Sequence, residues 1–94
     1  MQEADIHRRH KDGMIRVSAA FYGYVQGVGF RYTASHAASM LGLTGWVKNE
    51  YDGSVTSEVQ GNRESIEKWI KMISSGRFIR IDRVAVDLLK AENT

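Results

Sequence analysis

In YVQGVGFRYT, residues 24–33, the hydropathy period changes, and the fold is read outward from that change. Upstream, from Met14, Ile15, Val17, Ala19 and Phe21 fall on one side while Arg16, Ser18 and Tyr22 fall on the other. That alternation is the pattern of a half-buried strand. Downstream, Ala34, Ala37, Ala38 and Leu41 recur at helical spacing, and Gly42 supplies a stop. The stretch between is a short loop holding Gly27 and Gly29, with Arg31 at the start of the helix.

The same two periods alternate through the rest of the chain. LTGWVKNEY and GSVTSEVQG read as strands carrying Val47, Val55 and Val59, joined through YDGS, whose Asp-Gly pair is a hairpin signal. NRESIEKWIKMISSG puts Ile66, Trp69, Ile70 and Ile73 on one helical stripe, with Asn62 as N-cap and Gly76 as C-cap. RFIRIDRVAVDLL is a final extended run. There Ile79 and Ile81 lie in one phase, and Val84, Val86 and Leu88 in the other, which a bulge between them reconciles. The order strand, helix, strand, strand, helix, strand predicts an α+β, ferredoxin-like βαββαβ sandwich. Its antiparallel sheet has four strands, or five if the chain end adds one, with both helices on one face.

Composition narrows the function. Ninety-four residues make one domain, and 43% hydrophobic with 26% charged residues suits a globular chain. The absence of cysteine removes disulfides, thiolate nucleophiles and cysteine metal sites, and favours the cytoplasm. No apolar run reaches the ~18 residues needed to cross a bilayer. Residues 1–13 lack period and an apolar segment, and are expected to be a loose tail, with HRRH solvated rather than metal-binding. In that tail Glu3, Asp5 and Asp12 balance Arg8, Arg9 and Lys11, so the net charge of +2 lies in the body of the chain. Such an excess suits an anionic ligand and is too small to indicate nucleic acid.

A glycine-containing turn from strand into helix exposes unpaired backbone N–H groups at the positive end of the helix dipole, where phosphate binds. Gly27 and Gly29 let those groups converge, and Arg31 can add a two-pronged contact to phosphate oxygens. A tight structural turn is the plainer account of a lone GxG. The Walker and dinucleotide loops do not fit, since the Gly-Lys-Ser/Thr ending and the third glycine are absent. Without cysteine, a phosphoryl acceptor here is expected to be water. Asn49, in GWVKN, shares the phase of Val47 and lies near its strand's end. A carboxamide there accepts with its oxygen and donates with its nitrogen, so it can hold a water against a phosphate; alone, it reads as a turn residue.

Together, GYVQGVGFR, LGLTGWVKN and DGSV resemble the acylphosphatase family in order and spacing, from about Met14 to about Val86. The resemblance implies a small ferredoxin-like enzyme that hydrolyses the carboxyl–phosphate bond of acyl phosphates. It implies a phosphate cradle made of Gln26, Gly27, Val28, Gly29, Phe30 and Arg31, with Arg31 gripping the phosphoryl group and Asn49 positioning the attacking water. It implies no cofactor, no metal and no covalent intermediate. The expected partners are an acyl phosphate and inorganic phosphate, with no nucleic acid and no membrane, and the protein is expected to be a cytoplasmic monomer. Three features depart from the family: Tyr24 stands where a basic residue is common, SSGRF lacks the usual proline, and only KAENT follows VAVDLL.

The alternative is an anion-binding module of the same fold without hydrolysis. RNA binding through FYGYVQGVGF is disfavoured because its glycines fall where the strand gives way to helix. His36 and the residues Glu64, Glu67, Lys68 and Lys71 are expected on solvated helix faces. Trp69 is expected in the core, and Trp46 partly buried against Tyr22 or Tyr24 on the face without helices.

Overall fold

A computed structural model describes residues 13–27, 29–76 and 79–91. The tail expected over 1–13, HRRH included, lies outside them apart from Gly13, as does Val28 of the loop. The elements are β1 (Met14–Tyr24), α1 (Phe30–Met40), β2 (Thr44–Asn49), β3 (Val55–Asn62), α2 (Arg63–Ser74) and β4 (Arg80–Leu89). The strands form one sheet in the order β2-β3-β1-β4, with every neighbouring pair antiparallel. This is the expected βαββαβ arrangement, and the described residues form four strands with no fifth.

Alternation decides which face is covered. Val17, Ala19 and Phe21 of β1 and Val55 and Val59 of β3 are buried with Phe30, Ala34 and Ala37 of α1 and Ile66, Trp69 and Ile73 of α2. Phe21 lies at the middle, its ring 5.0 Å from Phe30 and 5.7 Å, edge-on, from Trp69. Trp69 is core as expected, and its indole N–H donates to the Ala34 carbonyl at 2.9 Å, joining the two helices.

The bulge expected in the last strand is at Asp82. Tyr22 pairs with Arg83 but Gly23 pairs with Ile81, so Asp82 is the extra residue and the phase switches there. Glycine is needed opposite it: Gly23 has φ +137°, and a Cβ would stand 2.3 Å from the Arg80 carbonyl oxygen.

The helix ends differ from one another. α1 stops in a Schellman motif around Gly42, with Leu43 N–H donating to the Ala38 carbonyl and Gly42 N–H to that of Ser39. α2 begins as expected, with the Asn62 carboxamide oxygen accepting from Ser65 N–H at 2.8 Å. Its C-cap is Ser75, not Gly76. Gly76 is not left-handed; a side chain there would press on Ile79, 2.9 Å from the site of a Cβ. Trp46 also departs from expectation. Its row across the sheet runs through Glu58 to Ser18 rather than to either tyrosine. It stays 44% exposed with the Lys48 ammonium 5.9 Å from its ring, while Tyr22 carries the Arg83 guanidinium at 4.0 Å.

Candidate active site

The loop between β1 and α1 is fixed by what flanks it. Val25 is buried before it and Phe30 after it, while Gly27 and Gly29 between them are exposed. Gly27 and Gly29 both take positive φ, 76° and 79°. At Gly29 a Cβ would meet nothing within 4 Å, so glycine serves the left-handed backbone and not the space.

Gly29 is the N-cap of α1 and offers no side chain to the helix end. The first intrahelical bond runs from Thr33 N–H to the Gly29 carbonyl at 3.0 Å, leaving the preceding amides without helical acceptors. The first turn contains no acid. It contains instead Arg31, which is exposed and has no carboxylate partner among the described residues. α2 is the internal comparison: it has an N-cap, Glu64 in its first turn and Lys71 in its last. A cation beside a helix N-terminus typically costs about 0.3–1 kcal/mol. α1 therefore gathers positive potential at its start that its own stability does not call for.

The β2–β3 hairpin forms the second wall. Asn49, exposed, pairs across the ladder with Val55, and Val55 with Phe21. Directly opposed residues in antiparallel strands share a face, so Asn49 lies on the helix-covered face. It is two strands, about 10 Å, from Phe21. Phe21 in turn supports Phe30, the residue before Arg31. Arg31 and Asn49 are thus placed at the same end of the same face.

The loop and hairpin are tied directly. The Gln26 amide nitrogen donates to the carbonyls of Glu50 and Ser54, both at 2.8 Å. Gln26, expected in the phosphate cradle, therefore commits its side-chain donors to the hairpin and leaves only its backbone to the loop. No local sequence signal announces this tie, which spans 24 and 28 residues of chain. The hairpin is itself braced: Asp52 accepts from the Ser54 hydroxyl at 2.6 Å and from the Ser54 N–H at 2.9 Å. Those bonds, the hydroxyl's foremost, hold the Asp52 carboxyl below its ordinary value of 3.8.

Glu50 would oppose an anion if it faced the same way as Asn49. Its carboxylate instead accepts from the Thr56 hydroxyl at 2.5 Å, with Lys48 Nζ 3.8 Å away. Thr56 and Lys48 oppose one another in the ladder, in the opposite phase to Val55 and Val47. The negative charge is thus drawn to the open face of the sheet. His36 is exposed and stacks on Tyr32 at 5.7 Å, as a surface residue. Among the described residues no three His, Cys, Asp or Glu side chains gather as a metal site.

Comparison with known proteins agrees with this arrangement. The family model described as Acylphosphatase matches residues 17–94. The chain is 44% identical over 75 residues to an acylphosphatase of Geobacillus kaustophilus, covering 79% of this chain and 80% of that protein. It is 47% identical over 73 residues to one from Salinibacter ruber, covering 77% of each. The structure of an acylphosphatase from Coxiella burnetii superposes with a TM-score of 0.83 at 29% identity, covering 92% of each chain. With the matched region spanning both the glycine loop and the hairpin, the chain belongs to the acylphosphatase family.

Proposed function

We propose that this protein hydrolyses acyl phosphates to a carboxylate and inorganic phosphate by direct attack of water on phosphorus. The observation that carries it is the α1 N-terminus: a left-handed glycine cap, no acid in the first turn, and an Arg31 with no carboxylate partner among the described residues, beside the hairpin that bears Asn49. The names of the relatives support the same substrate class.

In this account the amides from Gln26 to Arg31 and the Arg31 guanidinium hold the equatorial phosphoryl oxygens and stabilise the charge that develops on them. The Asn49 carboxamide orients the water opposite the leaving oxygen. The water oxygen bonds to phosphorus, the bond from phosphorus to the carboxylate oxygen breaks, and the carboxylate leaves with that electron pair. A phosphate oxygen takes the water's proton, because Asn has no useful basicity. A carboxylate is a good leaving group, so positioning and charge stabilisation suffice, and no step calls for a metal or covalent intermediate. A monomer is enough for this site, since Arg31, Asn49 and the loop all come from one chain. The absence of any long apolar helix among the described residues is compatible with a cytoplasmic protein.

Phosphate release from acetyl and benzoyl phosphate tests the proposal. Arg31→Ala is expected to lose at least about 10²-fold in kcat/KM, the usual effect of removing a preorganised donor to a developing anion. Binding of phosphate by wild type without release from either substrate would leave the anion-binding module instead.

A further inference from the structure

β4 is an edge of the sheet, on the side opposite the β2 that bears Asn49. Its ladder with β1 sorts its side chains. Val84, Val86 and Leu88 oppose Phe21, Ala19 and Val17 on the helix-covered face, while Arg83, Ala85 and Asp87 oppose Tyr22, Ala20 and Ser18 on the open one. α1 packs over β2 and α2 over β3, so the apolar row of β4 runs out from under the helices. Val84 is half-buried against the core, Val86 is 48% exposed and Leu88 68%. The outer rim of β4, with its backbone N–H and C=O groups, meets no further strand among the described residues. Such rims are usually blunted by lysine, proline or a bulge. Here the bulge at Asp82 disturbs one end alone, and from Arg83 to Leu89 the strand holds neither lysine nor proline.

We propose that a second copy of this chain covers this edge, β4 pairing with β4 in a two-fold dimer whose sheet runs through both chains. The argument is charge complementarity. Residues 83–87 read Arg-Val-Ala-Val-Asp, a segment whose apolar positions are unchanged on reversal and whose charges exchange. An antiparallel copy centred on Ala85 therefore sets Arg83 of each chain opposite Asp87 of the other, and Val84 of each opposite Val86 of the other. A slip of two residues either way opposes Arg83 to Ala85 or Leu89 and loses both charge pairs. Both charged residues are exposed, and Asp87 has no cationic partner among the described residues. The Arg83 guanidinium lies over the Tyr22 ring at 4.0 Å, and a stacked guanidinium keeps N–H groups at its rim for a carboxylate. The two-fold makes every contact occur twice, as an isologous interface requires. One strand per chain buries less than the roughly 1,600 Å² of a standard interface, so the dimer is a weak one. Arg31, Asn49 and the loop all come from one chain, so the pairing stands apart from the hydrolase reading.

Sedimentation equilibrium of the full chain from about 10 μM to about 1 mM tests the proposal. Wild type is expected to pass from monomer toward dimer across that range. Arg83→Asp and Asp87→Arg each turn two attractive contacts into two repulsive ones, and each should raise the dissociation constant at least about fourfold. The double variant restores both pairs with their signs exchanged, and should associate within about twofold of wild type. Val86→Lys, which sets an ammonium against Val84 of the other copy, should hold the protein monomeric throughout. All of these side chains are exposed, and circular dichroism checks that each variant is folded. A wild type that stays monomeric at the highest concentration overturns the proposal and leaves the edge without a second copy. A dimer indifferent to Val86→Lys and to both single reversals also overturns it, because some other surface then associates. Single variants that weaken association without recovery in the double variant overturn the pairing about Ala85.

Discussion

In the proposed mechanism Asn49 and Arg31 divide the work by chemical type. A guanidinium binds phosphate whether or not a water is in place, so its loss weakens binding and turnover together. A neutral carboxamide adds little to the affinity for a dianion and acts on the water. Asn49→Ala is therefore expected to keep its inhibition constant for inorganic phosphate within a small factor while kcat falls at least about 10²-fold. Wild-type turnover in Asn49→Ala would remove the water-positioning role. The positions of both were legible in the sequence, one at a strand-to-helix junction and the other in phase with Val47, but the roles proposed for them rest on the resemblance to the family. The tie made by Gln26 was not legible. Its partners are backbone carbonyls of Glu50 and Ser54, groups every residue possesses, and only the folded chain brings them within 2.8 Å.

At the scale of elements, the hairpin after Asn49 is held by a charge. The folded-state pKa of Asp52 lies below its unfolded value of 3.8. Its contribution to stability is therefore fully present above that pH and fades as the pH falls through the lowered folded value. The melting temperature of Asp52→Ala should fall below that of wild type at about pH 5, and the gap should narrow by about pH 2. A gap that stays constant would show that the Ser54 contacts do not depend on ionisation. The elements were read correctly where period alone decides them, down to the bulge that the phase switch between Ile81 and Val84 demanded. Gly76 was misassigned because sequence does not distinguish a glycine chosen for left-handed backbone from one chosen for room. Its neighbour Ile79 supplies the reason, lying 2.9 Å from where a Cβ on Gly76 would stand. Trp46 was misplaced for a related cause: its phase gave the correct face, but β3 lies between its strand and the tyrosines.

Across the whole molecule, the core and the candidate site are built on the same residues. Phe21 is fully buried, touches the rings of Phe30 and Trp69, and sits in the row that ends at Asn49. Truncating a buried phenylalanine to alanine costs about 3–5 kcal/mol. A chain of this size holds roughly 0.05–0.15 kcal/mol per residue in total, so that loss is a large share of its stability. Each kcal/mol moves the midpoint of a small domain by about 4–8 °C, so Phe21→Ala should melt at least about 12 °C below wild type. Its effect on the site should be visible below that midpoint. Phe30 loses the ring on which it rests, and Phe30 opens the first turn of α1, next to Arg31 in the chain. Phosphate affinity measured while the variant is still folded by circular dichroism should therefore drop, although Phe21 touches no ligand. Phe21→Leu, which keeps apolar volume beneath Phe30, should recover most of that affinity. If Phe21→Ala binds phosphate as wild type does while melting early, the loop keeps its shape without the core, and Val25 and the Gln26 tie alone hold the cradle.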